Sequence, residues 1–322
     1  MATDFADRLI AATHQNFQKE ISDGVAKKCL PMLWLEKNGC VETGRTGRTT
    51  EWRHKYQFST TTIGFSGTEQ LNYDARNDYI VASLPWRGLA DGIAVGWSEL
   101  LENRGEDQII DLLTQIPADL RANAINAFCT DWHLDGTTRS SKTFHGLAAS
   151  IGTGLTYAGL SGTTYTSWAA QYVDGTGYGT DPYAKILKLI MACAVGAKGG
   201  RDRNMLDVIM CNSVDFQVLS NYLQSTQRGQ ITGNVELAKA GFPNIEVNGV
   251  PVAWDEYASA LTNMWGLNSA HFKLMCLTKE PFEFFHQQPT GAPNPHLFYY
   301  LARFNLQNRN PRASGTLHST TS

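Results

Sequence analysis

Cys129 and His133 stand four residues apart, so on a helix both side chains share one face and two metal ligands could meet there. No third or fourth ligand is evident, and the plainer reading is a buried thiol with a helix-end histidine favoured by the negative end of the dipole. Asp131 beside His133 invites a dyad with Ser140 or Ser141, but closeness in sequence does not make triad geometry. Gly175-Thr176-Gly177-Tyr178-Gly179 looks superficially like a phosphate loop; no strand precedes it, and Asp181-Pro182 delays the next helix, so a flexible loop is the better reading. The nucleophile elbow GxSxG, the loop GxxxxGK[ST], the dinucleotide fingerprint GxGxxG and the zinc helix HExxH are all missing from the sequence. No catalytic, cofactor-binding or metal-ligating residue is assigned.

The cations Arg45, Arg48, Arg53 and Lys55 could touch nucleic acid, yet an acidic protein neighbour would serve them equally well and is the preferred reading. They lie on a segment with a pronounced pattern. Trp52, His54, Tyr56 and Phe58 alternate with Arg53, Lys55 and Gln57, the period of two expected of a half-buried strand. Ile80, Ala82 and Leu84 offer a returning strand, and about twenty residues, Ser59 to Asp78, separate the two. A two-stranded hairpin alone is marginal in water, so a long one must lie on something else, and we expect it to leave its own subunit. Trp52, Arg53, Lys55, Tyr56, Phe58 and Phe65 are the expected inter-subunit contacts.

The elements around the hairpin read as follows. Residues 3 to 30 form a weakly amphipathic helix or extended arm carrying Phe5, Leu9, Ala12 and Phe17. Ile109, Leu112, Leu113, Ile116, Leu120, Ala124, Phe128 and Trp132 recur every three or four residues and predict a long helix over 98–134. Pro117 predicts a kink there or two helices meeting, and Gly136 a terminator. Residues 146–181 read as loop and short strand; Asp181-Pro182 opens a second helix over 183–197, closed by Gly199-Gly200. Val208-Ile209-Met210 reads as a buried strand, followed by a short helix from Phe216 to Leu223. Asn248-Gly249 between alternating apolar residues predicts a tight hairpin, and the tail from Leu297 is strand material.

Composition excludes several classes. The chain has 322 residues, 42% hydrophobic and 18% charged, which suits a packed globular protein of about two structural units. No apolar run reaches the roughly 20 residues a membrane-spanning helix needs, and the N-terminus lacks a secretory pattern, so synthesis in the cytoplasm is expected. A net charge of −3 without runs of like charge limits any DNA contact to a weak, non-specific one. The six cysteines are scattered and are expected to be buried reduced thiols.

The order of these segments resembles the major capsid (coat) proteins of tailed bacteriophages, whose fold is shared with the encapsulin shells. Besides the arm, the hairpin and the long helix ending Asp131-Trp132-His133-Leu134-Asp135-Gly136, the resemblance rests on Phe144-His145-Gly146-Leu147, on Leu206-Asp207-Val208-Ile209-Met210-Cys211-Asn212, and on Gly241-Phe242 followed by Val247-Asn248-Gly249-Val250-Pro251-Val252 and Asp255. Trp265-Gly266-Leu267-Asn268 and the stretch from Asn305-Leu306 to Gly315-Thr316-Leu317 are similar as well.

The resemblance implies a mixed α+β subunit: an N-terminal arm (1–42), an extended loop hairpin (43–84), a peripheral domain with a long spine helix (85–181), an axial domain (182–300) and a strand returning to the peripheral domain (301–322). It implies self-assembly as hexamers and pentamers into an icosahedral virion shell around double-stranded DNA, with a portal, possible decoration proteins and no enzymatic activity. The arm begins almost at Met1, so a separate scaffolding protein and no large N-terminal removal are expected. Some relatives join subunits by a Lys to Asn isopeptide link; Lys55 is the available hairpin lysine, but no matching Asn and Glu can be located, so the link is not expected. An encapsulin-like cellular compartment is the alternative. A glycan-binding or glycan-cleaving protein, suggested by the Thr, Gly and Tyr-rich stretch 152–179 and eight tryptophans, is a remote third.

Overall fold

A computed structural model describes residues 29–57, 64, 66–67, 77–96, 98–99, 112–194, 205–226, 244–258, 263–287 and 295–319. The arm over 1–28, Phe58, Phe65, most of the loop 59–78, nearly all of 97–111 and the expected helix end beyond Ala194 lie outside them.

In chain order the elements are α1 (Leu30–Lys37), β1 (Val41–Glu42), β2 (Thr49–Lys55), β3 (Tyr79–Pro85), β4 (Arg87–Val95), α2 (Leu112–Trp132), α3 (Thr138–Ser141), α4 (Leu147–Ser150), β5 (Thr156–Tyr157), β6 (Leu160–Ser161) and β7 (Gln171–Gly175). They continue with α5 (Pro182–Cys193), β8 (Val208–Cys211), α6 (Ser213–Thr226), β9 (Asn244–Val247), β10 (Val250–Trp254), β11 (Asn263–Leu267), β12 (Phe272–Cys276), β13 (Glu283–Gln287), β14 (His296–Asn308) and β15 (Gly315–Ser319). Helices and sheets mix as an α+β fold.

Two large sheets organise the chain. One runs β1-β12-β14-β13, with β4 also paired to β14; the other runs β7-β15-β11-β8-β10-β9. Helix α2 covers the first because Ile116, Leu120, Ala124, Phe128 and Trp132 fall one turn apart on a single face. Phe128 stacks on Phe144 at 5.1 Å and meets Phe304 of β14 at 5.7 Å, while Trp34 of α1 meets Trp132 at 6.4 Å. The helix runs unbroken through Pro117, which sits in its second turn, so the expectation of two separate helices is not met.

In the second sheet, β8 is buried at all four positions, with Val208 and Met210 entering the core under α2 and Ile209 and Cys211 entering the core under α5 and α6. A strand covered on both faces reads as a continuous apolar run, as Val-Ile-Met does. The Asp181-Pro182 start is realised: Asp181 Oδ1 accepts a hydrogen bond from Ala184 N at 3.0 Å, and Pro182 opens α5. Asn248 (φ +49°) and Gly249 (φ +77°) both take left-handed backbone between β9 and β10, the conformation a two-residue hairpin with right-twisting strands demands.

The sheet pairings bring together parts of the chain that are distant in sequence. Residues 272–308 supply strands β12, β13 and β14 of the first sheet. Residues 301–304 of β14 pair with β4 in the sheet under the long helix, and the last strand, β15, pairs with β7 and β11 in the second sheet. Strands β12 and β14 follow the second sheet's strands in sequence, while their apolar faces complete the α2 core.

Candidate assembly interface

Strands β2 and β3 form an antiparallel pair in which Trp52 faces Ala82, Arg53 faces Val81, His54 faces Ile80 and Lys55 faces Tyr79. Because side chains alternate along a strand, this register sorts the hairpin into two unlike faces. One carries Thr50, Trp52 and His54 with Ile80, Ala82 and Leu84. The other carries Glu51, Arg53 and Lys55 with Tyr79, Val81 and Ser83.

The first face rests on this chain's own segment 156–168. Trp52 meets Tyr157 at 6.3 Å and Trp168 at 6.1 Å, and the His54 ring approaches Trp168 edge-on at 4.7 Å. Ser167 Oγ donates to the Tyr56 carbonyl at 3.0 Å and lies 3.4 Å from His54 Nε2; Tyr56 packs on Tyr165 at 5.5 Å. Burial lowers the pKa of His54 below its ordinary value. The platform is itself fixed, since Tyr157 Oη donates to the Leu306 carbonyl and accepts from Asn308 N, both at 2.9 Å. The hairpin stem therefore lies on its own chain, and the loop expected to leave the subunit falls largely outside the described residues. The apolar face that needed cover is covered internally as far as Tyr56.

The second face is open. Tyr79 is 56% and Val81 55% exposed, in one row with exposed Arg53 and Lys55 opposite. Of the residues expected to make inter-subunit contacts, Trp52 and Tyr56 thus turn inward, Arg53 and Lys55 face outward, and Phe58 and Phe65 lie outside the described residues. Tyr79 and Val81 were missed. The signal was there: 79–82 reads Tyr-Ile-Val-Ala, apolar on both faces, and only Ile80 and Ala82 had been given a partner face.

The hairpin's root is held by buried polar groups. Asn305 Nδ2 donates to the Pro85 carbonyl at 2.8 Å, while Asn305 Oδ1 accepts from His145 N at 2.9 Å and Leu306 N at 3.0 Å. Trp86 Nε1 donates to the Gly47 carbonyl at 2.9 Å, closing the hairpin's two ends on each other. Arg87 reaches the carbonyls of Gly136 and Thr143 at 2.9 and 3.1 Å. A Cβ at Gly146 would stand 2.3 Å from the Leu134 carbonyl oxygen and 2.5 Å from those of Asp131 and Trp132, so only glycine lets this segment pass under the end of α2.

The residues first considered for chemistry separate in space. Cys129 is disulfide-bonded to Cys29, with 6.0 Å between the Cα atoms, which corrects the expectation of six reduced thiols and removes Cys129 as a metal ligand. The pairing escaped notice because 100 residues separate the two. Cys40, Cys193, Cys211 and Cys276 are free and buried. His133 Nε2 meets Asp255 Oδ2 at 2.8 Å, whereas Asp131 accepts from Arg139 Nε at 2.9 Å and Thr143 Oγ1 at 2.8 Å. Ser141 Oγ donates to the Thr137 carbonyl, so among the described side chains no nucleophile, base and orienter line up here.

No family profile and no curated protein matches this sequence. Solved structures do. The chain is similar to a subunit of the cyanophage A-1(L) capsid asymmetric unit at 17% identity and TM-score 0.65, over 97% of this chain and 99% of that one. It is similar to a subunit of the native GTA particle capsid (13%, TM-score 0.62, 95% and 96%) and of the capsid of Myoviridae phage XM1 (12%, TM-score 0.59, 95% and 96%). At these identities the likeness concerns the fold, end to end in both directions: the polypeptide described above, two sheets, long helix and rooted hairpin together, has the fold of the subunits from which these phage and GTA capsids are built.

Proposed function

We propose that the chain is a major capsid protein, a structural subunit that self-assembles as hexamers and pentamers into the icosahedral virion shell of a tailed phage, around double-stranded DNA. The reading rests on one observation: the fold matches capsid subunits over almost the whole of both chains. The open row of Tyr79, Val81, Arg53 and Lys55 is consistent with a lattice contact, because an exposed apolar strip rimmed by charge fits a protein neighbour. Shell subunits need no catalytic constellation. With a net charge of −3, the contact with packaged DNA is weak and non-specific, and a separate scaffolding protein and a portal are the further partners of this reading.

Negative-stain electron microscopy and analytical ultracentrifugation of the purified chain, with and without a scaffolding protein, test the proposal. Closed shells, or capsomer rings and tubes, are expected. A stable monomer under every condition overturns it, and shells that recruit a cargo enzyme in place of DNA favour the cellular-compartment alternative.

A further inference from the structure

At the end of the first sheet, two histidines from neighbouring strands meet. In the β13–β14 pair His286 is opposite Phe298, and His296 stands two residues before Phe298, so both histidines lie on one face as diagonal neighbours. His286 Nε2 and His296 Nδ1 are 3.1 Å apart. The rings are near parallel, with centroids 5.4 Å apart and planes inclined by 20°. The His286 ring also lies flat on Phe298, at 4.3 Å and 2°. That stacking holds the imidazole in one orientation, so little side-chain freedom is left to lose when the ring takes a ligand. His286 is exposed and His296 half-buried, so solvent reaches the pair.

We propose that His286 and His296 form a binding site for a divalent transition-metal ion of the Zn²⁺, Ni²⁺ and Cu²⁺ class. Geometry carries this. A metal–imidazole bond is about 2.0–2.1 Å, so two imidazole nitrogens on one ion stand about 2.8 Å apart at a right angle and about 3.4 Å apart at the tetrahedral angle. The observed 3.1 Å falls inside that window with the rings already in place. An ion seated at both nitrogens displaces the hydrogen now shared between them. That hydrogen moves to the other nitrogen of its own ring, a change of tautomer with no net loss of a proton. Imidazole selects these ions over Mg²⁺ and Ca²⁺, which prefer oxygen. Among the described residues no third His, Cys, Asp or Glu joins the pair, so the ion keeps water in the rest of its coordination sphere. Bound there, it ties the end of β13 to the start of β14, and it does so whether or not the chain forms a shell.

Isothermal titration of the full-length chain with NiCl₂ at neutral pH, beside H286Q and H296Q, tests the site. One Ni²⁺ site per subunit is expected, weakened roughly 10- to 100-fold in either variant and not displaced by equimolar Mg²⁺ or Ca²⁺. Variants that bind Ni²⁺ as the parent does, or displacement by Ca²⁺, overturn the proposal. Should a variant fail to fold, the parent chain alone decides: NiCl₂ is expected to protect both His286 and His296 from carbethoxylation by diethyl pyrocarbonate, read by peptide mass, and equal modification with and without the ion overturns the assignment.

Discussion

His133 Nε2 lies 2.8 Å from Asp255 Oδ2, with both side chains buried and each one residue past the end of its element. The contact ties the end of α2, which covers the first sheet, to the end of β10 in the second. Asp255 has further work there: its Oδ1 accepts from Tyr257 N at 3.2 Å and its backbone N donates to the Cys211 carbonyl at 3.0 Å. Removing one partner of such a pair strands a buried polar group, so H133L is expected to cost about 3–5 kcal/mol. For a chain of this size that corresponds to a melting temperature lower by roughly 4–8 °C, read by calorimetry. A loss under about 1 kcal/mol would mean that the two sheets are held together without this contact.

Gly146 and Gly177 make a controlled comparison. Alanine at Gly146 drives a Cβ to within 2.5 Å of three carbonyl oxygens at the end of α2, all backbone and unable to swing aside. Alanine at Gly177 (φ +81°) meets nothing within 4 Å and carries only backbone strain, about 1–2 kcal/mol. G177A is expected to fold with a small loss of stability, and G146A to yield little soluble protein. Equal melting temperatures for the two would show that α2 shifts to accommodate the methyl.

How much of this was legible beforehand differs by element. The Asn248-Gly249 turn, the Asp181-Pro182 cap and the apolar stripe of α2 are local patterns, and each sits where periodicity and turn chemistry place it. What stayed hidden is non-local. Cys29 and Cys129 are far apart in sequence, His133 finds Asp255 across 122 residues, and β14 returns to a sheet begun by β1 and β4. The inward turn of Trp52 and Tyr56 belongs with these: alternation defined a face, but only the fold shows that Trp168 and Tyr165 cover it.

On the open face of the hairpin, V81D together with Y79D tests the proposed lattice contact directly. Both side chains are more than half exposed, so the monomer should keep its melting temperature to within the change of about 0.5 kcal/mol usual for surface positions. Sedimentation should then show capsomers or monomers in place of shells. Normal shells would remove this face from the assembly interface.

The Cys29–Cys129 disulfide closes a loop spanning 100 residues of sequence, which joins the start of α1 to the last turns of α2. Cross-linking residues that far apart restricts the unfolded chain, worth about 2–4 kcal/mol in practice. C29S/C129S should therefore melt lower than the oxidised parent, and a reducing agent should bring the parent down to the variant's value. Identical melting in all three states would mean that the bond contributes nothing to stability.

Acid sensitivity follows from three half-buried imidazoles. Burial is the first cause that lowers the pKa of His54, His145 and His271, with the Arg87 charge adding to it at His145 and the Arg309 charge at His271. In the unfolded chain each titrates near about 6.5. Above that pH both states are neutral at these positions and stability is unaffected by them. Below it the unfolded chain binds protons more readily than the folded one, so stability falls as the pH drops. The melting temperature should accordingly be level above about pH 7 and decline below about 6.5. His54 is the informative one, because its ring is wedged between the hairpin and Trp168 and its protonation loosens the hairpin from its platform. H54Q should reduce the slope of melting temperature against pH in that window, and a slope equal to the parent's would show that His54 takes no part in it.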